Sequence, residues 1–502
     1  MSMRLKRATW LGFAFLGSSI WLSAQGPPRP AAAVPALAAG AVGPGTFTMA
    51  LTGDSIITRR LSVYREPSFL KMIDLIRGAD VAFTNLEMLF HDYETYAMHE
   101  SGGTYMRAEP ALVKELVWAG FDLVSRANNH TGDYAVGAMR LTTKYVTEAG
   151  LVQAGVGESL PEAREPRFLE TATARVALIS VASTFPAHAR AGNSRGDIPA
   201  RPGLNPLRFT TTYVATPDSL EKLRAALADA GLGGTGRGGV AAGGAAPGGG
   251  RGGAAATPGA PRALSLFGTR VVAGDTPGVR TEPNKTDMNE IAAAVRSAAR
   301  LADYLIVTVH SHEGDRGRLA PAQFLLTFAR AMVDAGADLI VGHGPHVLRG
   351  IEIYKGKPIL YSLGDFIFQN DTLVRLPSEN YEQYDMGHAA QVADFNVRRY
   401  GADETRGFPA DPLIWESVVA VPRFKGKQVV ELALYPISLG FKKPATERGR
   451  PMFAEPELGQ KILDDLTKLS APFGTRIQVR NGVGYVDVSA KATTGAPDPT
   501  RR

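Results

Sequence analysis

The sequence predicts an α/β protein in which mixed sheets carry helices on their outer faces. Three observations predict it. From residue 46 onward, segments with helical spacing of apolar residues alternate with short runs rich in β-branched residues. The alternation stops at a stretch made almost wholly of Gly, Ala and Pro, 232–262, and then resumes. Residues able to bind a metal or move a proton recur where an apolar run gives way to a loop, which is where layered α/β folds collect ligands.

The elements follow in order. Arg4, Lys6 and Arg7, the apolar stretch from Trp10 to Leu22 and the sequence Leu22-Ser23-Ala24 form the pattern of an export signal over residues 1–24. The apolar stretch is short of the ~20 residues that a bilayer span needs. A cleaved signal is therefore expected, with an uncleaved N-terminal anchor as the alternative. Residues 25–45, rich in Pro, Ala and Gly, read as a linker. The main domain is expected over 46–488. It opens with TFTMALTGDS, a strand ending at Gly53-Asp54. The helix PSFLKMIDLIRGAD leads into the strand VAFTNLE, EPALVKELVWAGFD into LVSRANNH, and YAVGAMRLTTKYVTEAG into LVQAGVG, followed by RVALISVAS.

Residues 232–262 cannot bury a core and are expected to be a disordered surface insertion. The same fold is expected to continue beyond them through MNEIAAAVRSAAR, DYLIVTVHSH, PAQFLLTFARAMVDAGAD and LIVGHGPH. After KPILYSLGDFIFQ the character changes. ESVVAVPRFKGKQVVELALYPISL predicts a hairpin turning at Lys425-Gly426-Lys427. EPELGQKILDDLTKLSAPFG predicts one amphipathic helix, TRIQVRNGVGYVDV a last hairpin, and 489–502 a disordered tail.

Composition narrows the functional classes. The 502 residues are 44% hydrophobic and 21% charged, an ordinary globular balance sufficient for one large domain or two smaller ones. The net charge of +6 and pI near 9.3 come from scattered basic residues with no Lys/Arg run interleaved with aromatics. A nucleic-acid partner is therefore not expected. Cysteine is absent, which excludes disulfides, thiolate metal sites and cysteine nucleophiles. No Gly-x-x-x-x-Gly-Lys-[Ser/Thr] loop and no Gly-x-Ser-x-Gly elbow occurs.

The chemistry concentrates elsewhere. Of nine histidines, four lie in VTVHSHEGD (His310, His312) and DLIVGHGPHVLRG (His343, His346). Asp54, Glu87 and the pair Asn129-His130 occupy the same topological position upstream. Oxygen and imidazole ligands gathered in this way suit a divalent cation, and a carboxylate is needed to bridge two of them. Plainer alternatives exist for each. Asp54 can cap a turn, Glu87 can pair with a surface arginine, and Asn129 and His130 can satisfy the backbone of a turn. Gly342, Gly344 and Pro345 are expected to hold His343 and His346 in a tight, exposed loop. Alternation along a strand sends His310 and His312 to one face, so both are candidates. His91, His99, His188 and His388 lie outside these motifs and are read as non-site residues.

The segments LTGDSI, VAFTNLEM, SRANNHTGD, VTVHSHEGD, VGHGPHVLRGIE and KPILYSLGDFIF, in this order over residues 46 to about 370, resemble the successive motifs of the CapA family. These are bacterial capsule-synthesis proteins associated with poly-γ-glutamate. That family is in turn similar to the calcineurin-like metallophosphoesterases, so the resemblance implies a metallophosphatase-like layered β-sandwich flanked by helices, with a dinuclear metal site. It further implies Asp54 as the first carboxylate, Glu87 as the bridging carboxylate, Asn129 as the amide ligand and His130 as the proton donor to the leaving group. His310 or His312 takes the fourth-motif ligand position, and His343 and His346 the last two. The sequence departs from the phosphoesterase pattern at Ile56, where Asp-x-His has its histidine, in the two residues separating His343 from His346, and at Glu87, where the bridging residue is usually Asp. Asp365 replaces the usual amide of the Ser-Leu-Gly-x-Phe motif.

Two functions are compatible with these residues. One is an exported metal-dependent hydrolase using one or two Mn, Zn or Mg ions on a phosphoester or a γ-glutamyl amide. Its substrate would be an anionic polymer or a small molecule. The other is a non-catalytic envelope scaffold that assists polymer synthesis or export alongside membrane capsule-synthesis partners. Either places the mature chain in the periplasm or cell envelope. A third reading, a polysaccharide-binding module, lacks an aromatic platform motif.

Overall fold

The computed structural model describes residues 45–231, 263–266 and 268–489. The expected signal, nearly all of the linker, the insertion 232–262 and all but the first residue of the tail lie outside the described residues.

Two sheets stack face to face. In the first, the strand Thr46–Ile56 is central. It runs parallel to Val81–Leu86, which pairs with Leu123–Ser125 and then Val152–Ala154, all parallel. On its other side Thr46–Ile56 pairs antiparallel with Glu416–Lys425, the first arm of the expected hairpin, whose second arm is Gln428–Ser438. The terminal hairpin, Ile477–Arg480 with Val483–Val486, completes that edge. Its turn is Asn481-Gly482, both at positive φ (51° and 75°), the pair that a two-residue hairpin loop demands. The second sheet has the order Leu348–Tyr354, Lys357–Leu363, Leu339–His343, Tyr304–His310, Arg175–Ala182, Arg167–Glu170. Arg175–Ala182 and Tyr304–His310 lie on opposite sides of the Gly/Ala-rich stretch, yet pair in parallel with Val176 opposite Tyr304.

Side-chain alternation sorts the core into layers. Met49, Leu51, Val81, Phe83 and Leu123 of the first sheet meet Val176, Leu178, Ile306, Leu339 and Val341 of the second between the sheets. The intervening residues point outward. Ala50, Ala82 and Val124 pack beneath the helices Pro67–Arg77 and Val113–Ala119. Ala177, Ile179, Leu305 and Val307 pack beneath Lys285–Ala298 and Gln323–Ala335. Strands covered on both faces read as nearly continuous apolar runs. The result is helix, sheet, sheet, helix: a layered α/β fold of metallophosphatase type.

Several boundaries differ from the sequence reading, each for a local reason. The first strand runs past Asp54 to Ile56 because Asp365–Phe368 joins it in parallel, Asp54 opposite Asp365. LVQAGVG breaks into Val152–Ala154 and Val156–Gly157 at Gly155, whose φ is +102° and where an added Cβ would come within 2.6 Å of Ser180 Oγ, leaving no room for a side chain. The helix after Glu109 opens with a 3-10 turn, Pro110–Leu112, and the helix Pro456–Ser470 closes with another, Ala471–Phe473. A four-stranded sheet in the order Ala263–Leu266, Thr269–Ala273, Phe209–Ala215, Gly278–Pro283 was not foreseen. Neither were the short helices Ser378–Glu382 and Val392–Tyr400. Among the described residues no helix is long and apolar enough to cross a membrane.

Candidate metal centre

The parallel strands of both sheets end on the same side, and the loops beyond them converge. Asp54 sits at a shift in the register of its strand, where Gly53 passes so close to the Gly364 carbonyl that a side chain there would collide with it. This crossing aims the fully buried Asp54 carboxylate inward. Asn85 Nδ2 donates to its Oδ1 at 2.7 Å and the Gly344 amide to its Oδ2 at 2.9 Å. Glu87 follows Val81–Leu86 and is tied through its amide to the Ser55 carbonyl. Both of its carboxylate oxygens are buried with no hydrogen-bond partner. The surface ion pair that was the plainer reading of Glu87 is not what the fold makes of it.

The histidines arrive from the second sheet. His310 and His343 end neighbouring parallel strands in register, and their Nδ1 atoms stand 3.1 Å apart. Asp54 Oδ1 lies 3.5 Å from His343 Nδ1 and 3.8 Å from His310 Nδ1. Donors on one tetrahedral Zn²⁺ at 2.0–2.1 Å stand about 3.3 Å apart, so these three atoms already have the spacing of a shared ligand set. The other ring nitrogen of His310, Nε2, is 3.0 Å from His312 Nε2 and 3.8 Å from Glu87 Oε1. Glu87, His312 and His346 form a second convergent set, and Asp54, His346 and Asp365 a third.

His312 does not reach the cluster by strand alternation, because the strand ends at His310. Its loop is clamped by Arg349, a fully buried guanidinium that donates to the carbonyls of Arg318, Ser311 and His312 at 2.7, 3.2 and 3.1 Å. The loop carrying His343 and His346 is tight, but it is buried rather than exposed as the sequence suggested. Both sheets cover it, and His346 takes a left-handed φ of 56° that turns its ring back toward Asp365. His346 Nδ1 donates to Asp365 Oδ1 at 2.8 Å, leaving Asp365 Oδ2 buried and unpartnered.

The Asn129-His130 loop closes the site from the first sheet. Asn129 Nδ2 donates to the Gly102 carbonyl at 2.9 Å, and its Oδ1 is buried and unpartnered. Gly102 lies against the Asn129 backbone with no space for a Cβ, so the 101–104 loop can lie flat over this pair. His130 Nδ1 donates to Asp133 Oδ2 at 2.7 Å, and its Nε2 is 3.6 Å from Glu87 Oε1. Asp133 is fully buried and also accepts from the amides of Gly102 and Met106. A carboxylate accepting from Nδ1 fixes the ring and its tautomer, and directs Nε2 to the site.

The electrostatics agree with the geometry. Burial pushes the carboxyls of Asp54, Glu87 and Asp365 up, and for Glu87 the neighbouring Asp54 and Asp365 push further. Burial pulls His310 and His312 well down and His343 to about 3, so these rings are neutral at pH 7 with lone pairs to offer. For His346 burial acts downward too, but Asp365 and Asp54 outweigh it and the group rises. Crowded carboxyls that resist ionising, neutral imidazoles and unpartnered oxygens on Glu87, Asn129 and Asp365 form a donor set that a divalent cation satisfies.

All eight residues singled out from sequence, Asp54, Glu87, Asn129, His130, His310, His312, His343 and His346, therefore converge, and Asp365 joins them. Ile56 is buried among Phe366, Ile367 and other apolar residues and lines the cavity beside His130, His312 and His346, where it offers no donor atom. His91 packs on Tyr93 and Tyr134, His188 faces the Gly132 carbonyl, and neither they nor His99 and His388 belong to a convergent donor set among the described residues. Sequence reasoning missed Asp133, Asn85 and Arg349. Only Asp133 left a signal, three residues after His130.

A two-sheet α/β sandwich with a buried imidazole and carboxylate centre at its strand ends defines a metallophosphatase-like protein with a candidate metal site. Residues 48–370 match the family described as bacterial capsule synthesis protein PGA_cap, and the chain belongs to that family. It is 39% identical over 456 residues to the uncharacterized protein y4sH of Sinorhizobium fredii, covering 88% of this chain and 93% of that protein. It is 27% identical over 335 residues to the capsule biosynthesis protein CapA of Bacillus anthracis, covering 64% of this chain and 60% of the relative. A probable polyglutamine synthesis accessory protein of Mycobacterium tuberculosis is 41% identical over 96 residues, 18% of this chain and 25% of its own length.

Proposed function

We propose that this chain is an exported, metal-dependent hydrolase serving capsule or poly-glutamate synthesis. The observation that carries the reading is the convergence of unpartnered oxygens on Glu87, Asn129 and Asp365 with neutral imidazoles, beside a histidine whose far nitrogen is held by a buried carboxylate. Asp54, His310 and His343 would hold one cation, and Glu87, His312 and His346, with Asn129, a second. A bound divalent cation supplies Lewis acidity toward a phosphoryl or carbonyl oxygen.

The chain's own residues do the rest. Asp133 accepts from His130 Nδ1 and so stabilises the imidazolium formed when Nε2 takes a proton from the attacking water; Nε2 then passes that proton to the leaving oxygen or nitrogen. Asn85 and the Gly344 amide hold Asp54 in place, and Arg349 holds His312. The substrate is a phosphoester or a γ-glutamyl amide, and the family and the CapA relative support a polymer of the capsule. Export rests on the N-terminal sequence pattern, with membrane capsule-synthesis proteins as partners. The test is hydrolysis of a phosphoester and γ-glutamyl panel by purified chain supplied with Mn²⁺, Zn²⁺ or Mg²⁺. Turnover that disappears in His343→Ala supports the reading, and a dead panel with all three metals refutes it.

One observation favours a second reading. Ile56 stands where a phosphoesterase of this kind carries a first-motif histidine, which suits a site kept for binding in an envelope scaffold. Metal bound without any turnover would support that alternative.

A further inference from the structure

Beside the candidate metal centre lies a cavity of about 330 Å³ whose lining includes Asn129, His130, His312 and His346 together with Arg318 and Arg399. The two guanidiniums are not alike. Arg318 is paired with the carboxylate of Asp411. Arg399, in the helix Val392–Tyr400, has no carboxylate within ion-pair distance among the described residues, and Thr104 Oγ1 is its one hydrogen-bond acceptor there. Aromatic rings fix its position: Phe408 lies 5.3 Å and Tyr400 5.1 Å from its guanidinium carbon. A guanidinium has five N–H donors, so this one is held in place by stacking and a single hydroxyl while most of its capacity is unused. It lies beyond the stretch that matches the family, 48–370.

We infer that Arg399 is the specificity-determining residue of this site and binds a carboxylate or phosphate group of the substrate next to the bond that reacts. An unpaired guanidinium lining the same cavity as His130 and His346 adds positive charge to that cavity, and a planar, two-oxygen anion both neutralises it and matches its fork. The segment after residue 370 then supplies the wall that selects the substrate, while the strand ends supply the chemistry. For the location of the reacting bond this inference rests on the hydrolase reading, but the binding of the anion does not.

The test is calorimetric titration of the Mn²⁺-loaded chain with two probes, inorganic phosphate and the dipeptide γ-glutamylglutamate, for the natural sequence, Arg399→Met and Arg399→Lys. At least one probe is expected to bind the natural chain and to lose about 10- to 100-fold in affinity in Arg399→Met. Arg399→Lys should recover part of that loss, and bound metal and melting temperature should not change. The probe whose affinity falls says whether the group is a phosphate or a carboxylate. If Arg399→Met binds both probes as the natural chain does, or the natural chain binds neither, the inference is overturned. If the chain holds no cation and yet binds a probe through Arg399, the hydrolase reading falls and this one stands.

Discussion

Replacing Arg349 with methionine separates the site's support from its ligands. The guanidinium is fully buried in the strand Leu348–Tyr354, and burial pulls it down to about 10, so it is charged at neutral pH. Its three hydrogen bonds satisfy the carbonyls of Ser311, His312 and Arg318, which belong to the loop that carries His312 into the cluster. Methionine replaces the apolar stem and leaves all three carbonyls without a donor. Each buried group left unpaired costs about 1–3 kcal/mol, and some relief comes from water entering by the cavity, so the loss is roughly 3–5 kcal/mol. Part of it appears as lower global stability, and part as a loosened His312. Outer supports of metal ligands are typically worth about 10- to 100-fold in metal affinity. Urea denaturation together with equilibrium dialysis against Mn²⁺ measures both. A variant that unfolds at the same urea concentration and binds Mn²⁺ with the same Kd would refute the claim that Arg349 holds this loop.

Other perturbations give distinct outcomes. Asp133→Asn should leave bound metal unchanged while lowering kcat by about 10²- to 10⁴-fold on whichever panel substrate is turned over, because a neutral amide no longer stabilises the His130 imidazolium; equal loss of metal and activity would contradict this. Removing the cation with EDTA should lower the melting temperature in scanning calorimetry, since a ligand present at 100 times its Kd stabilises by about 2.7 kcal/mol. Asp287 tests the fold away from the site. Its burial acts upward, but hydrogen bonds from Arg208 and the charge of Arg164 outweigh it and hold the group below the usual aspartate range. A folded-state value below the unfolded one means that its contribution is present above about pH 4 and is lost as pH falls through the lower folded value. Asp287→Asn should therefore be destabilised at pH 7 by about 3–5 kcal/mol, with the gap to the natural chain closing in acid. Urea midpoints from pH 7 to pH 2 check it, and a gap independent of pH would contradict it.

The sequence made the candidate metal ligands legible because topology does the gathering. The parallel strands are apolar runs, and four of them carry a candidate ligand at or just beyond their ends, so Asp54, Glu87, His310 and His343 announce their common position without any knowledge of contacts. His346 was recognisable only by its motif, since its approach depends on a left-handed φ and on Asp365, which arrives from a strand pairing that no periodicity encodes. The supports were less visible still. Asn85 is one more polar residue within a strand, Arg349 looks like any arginine before a glycine, and their meaning lies in partners 31 to 38 residues away. The segment between Phe368 and Glu416 gave no periodic signal, because its helices are short and take their packing from one another's rings, Phe395 on Tyr381 and Tyr400 on Phe408, rather than from a sheet.

The account turns on whether this cluster holds a cation. Elemental analysis of the purified chain, with competitive titration by Mn²⁺ and Zn²⁺, measures that directly. One or two equivalents should be bound, with occupancy reduced in Asp54→Ala and His343→Ala while their circular dichroism spectra stay native. A chain that folds but takes up neither ion above trace levels would contradict the account.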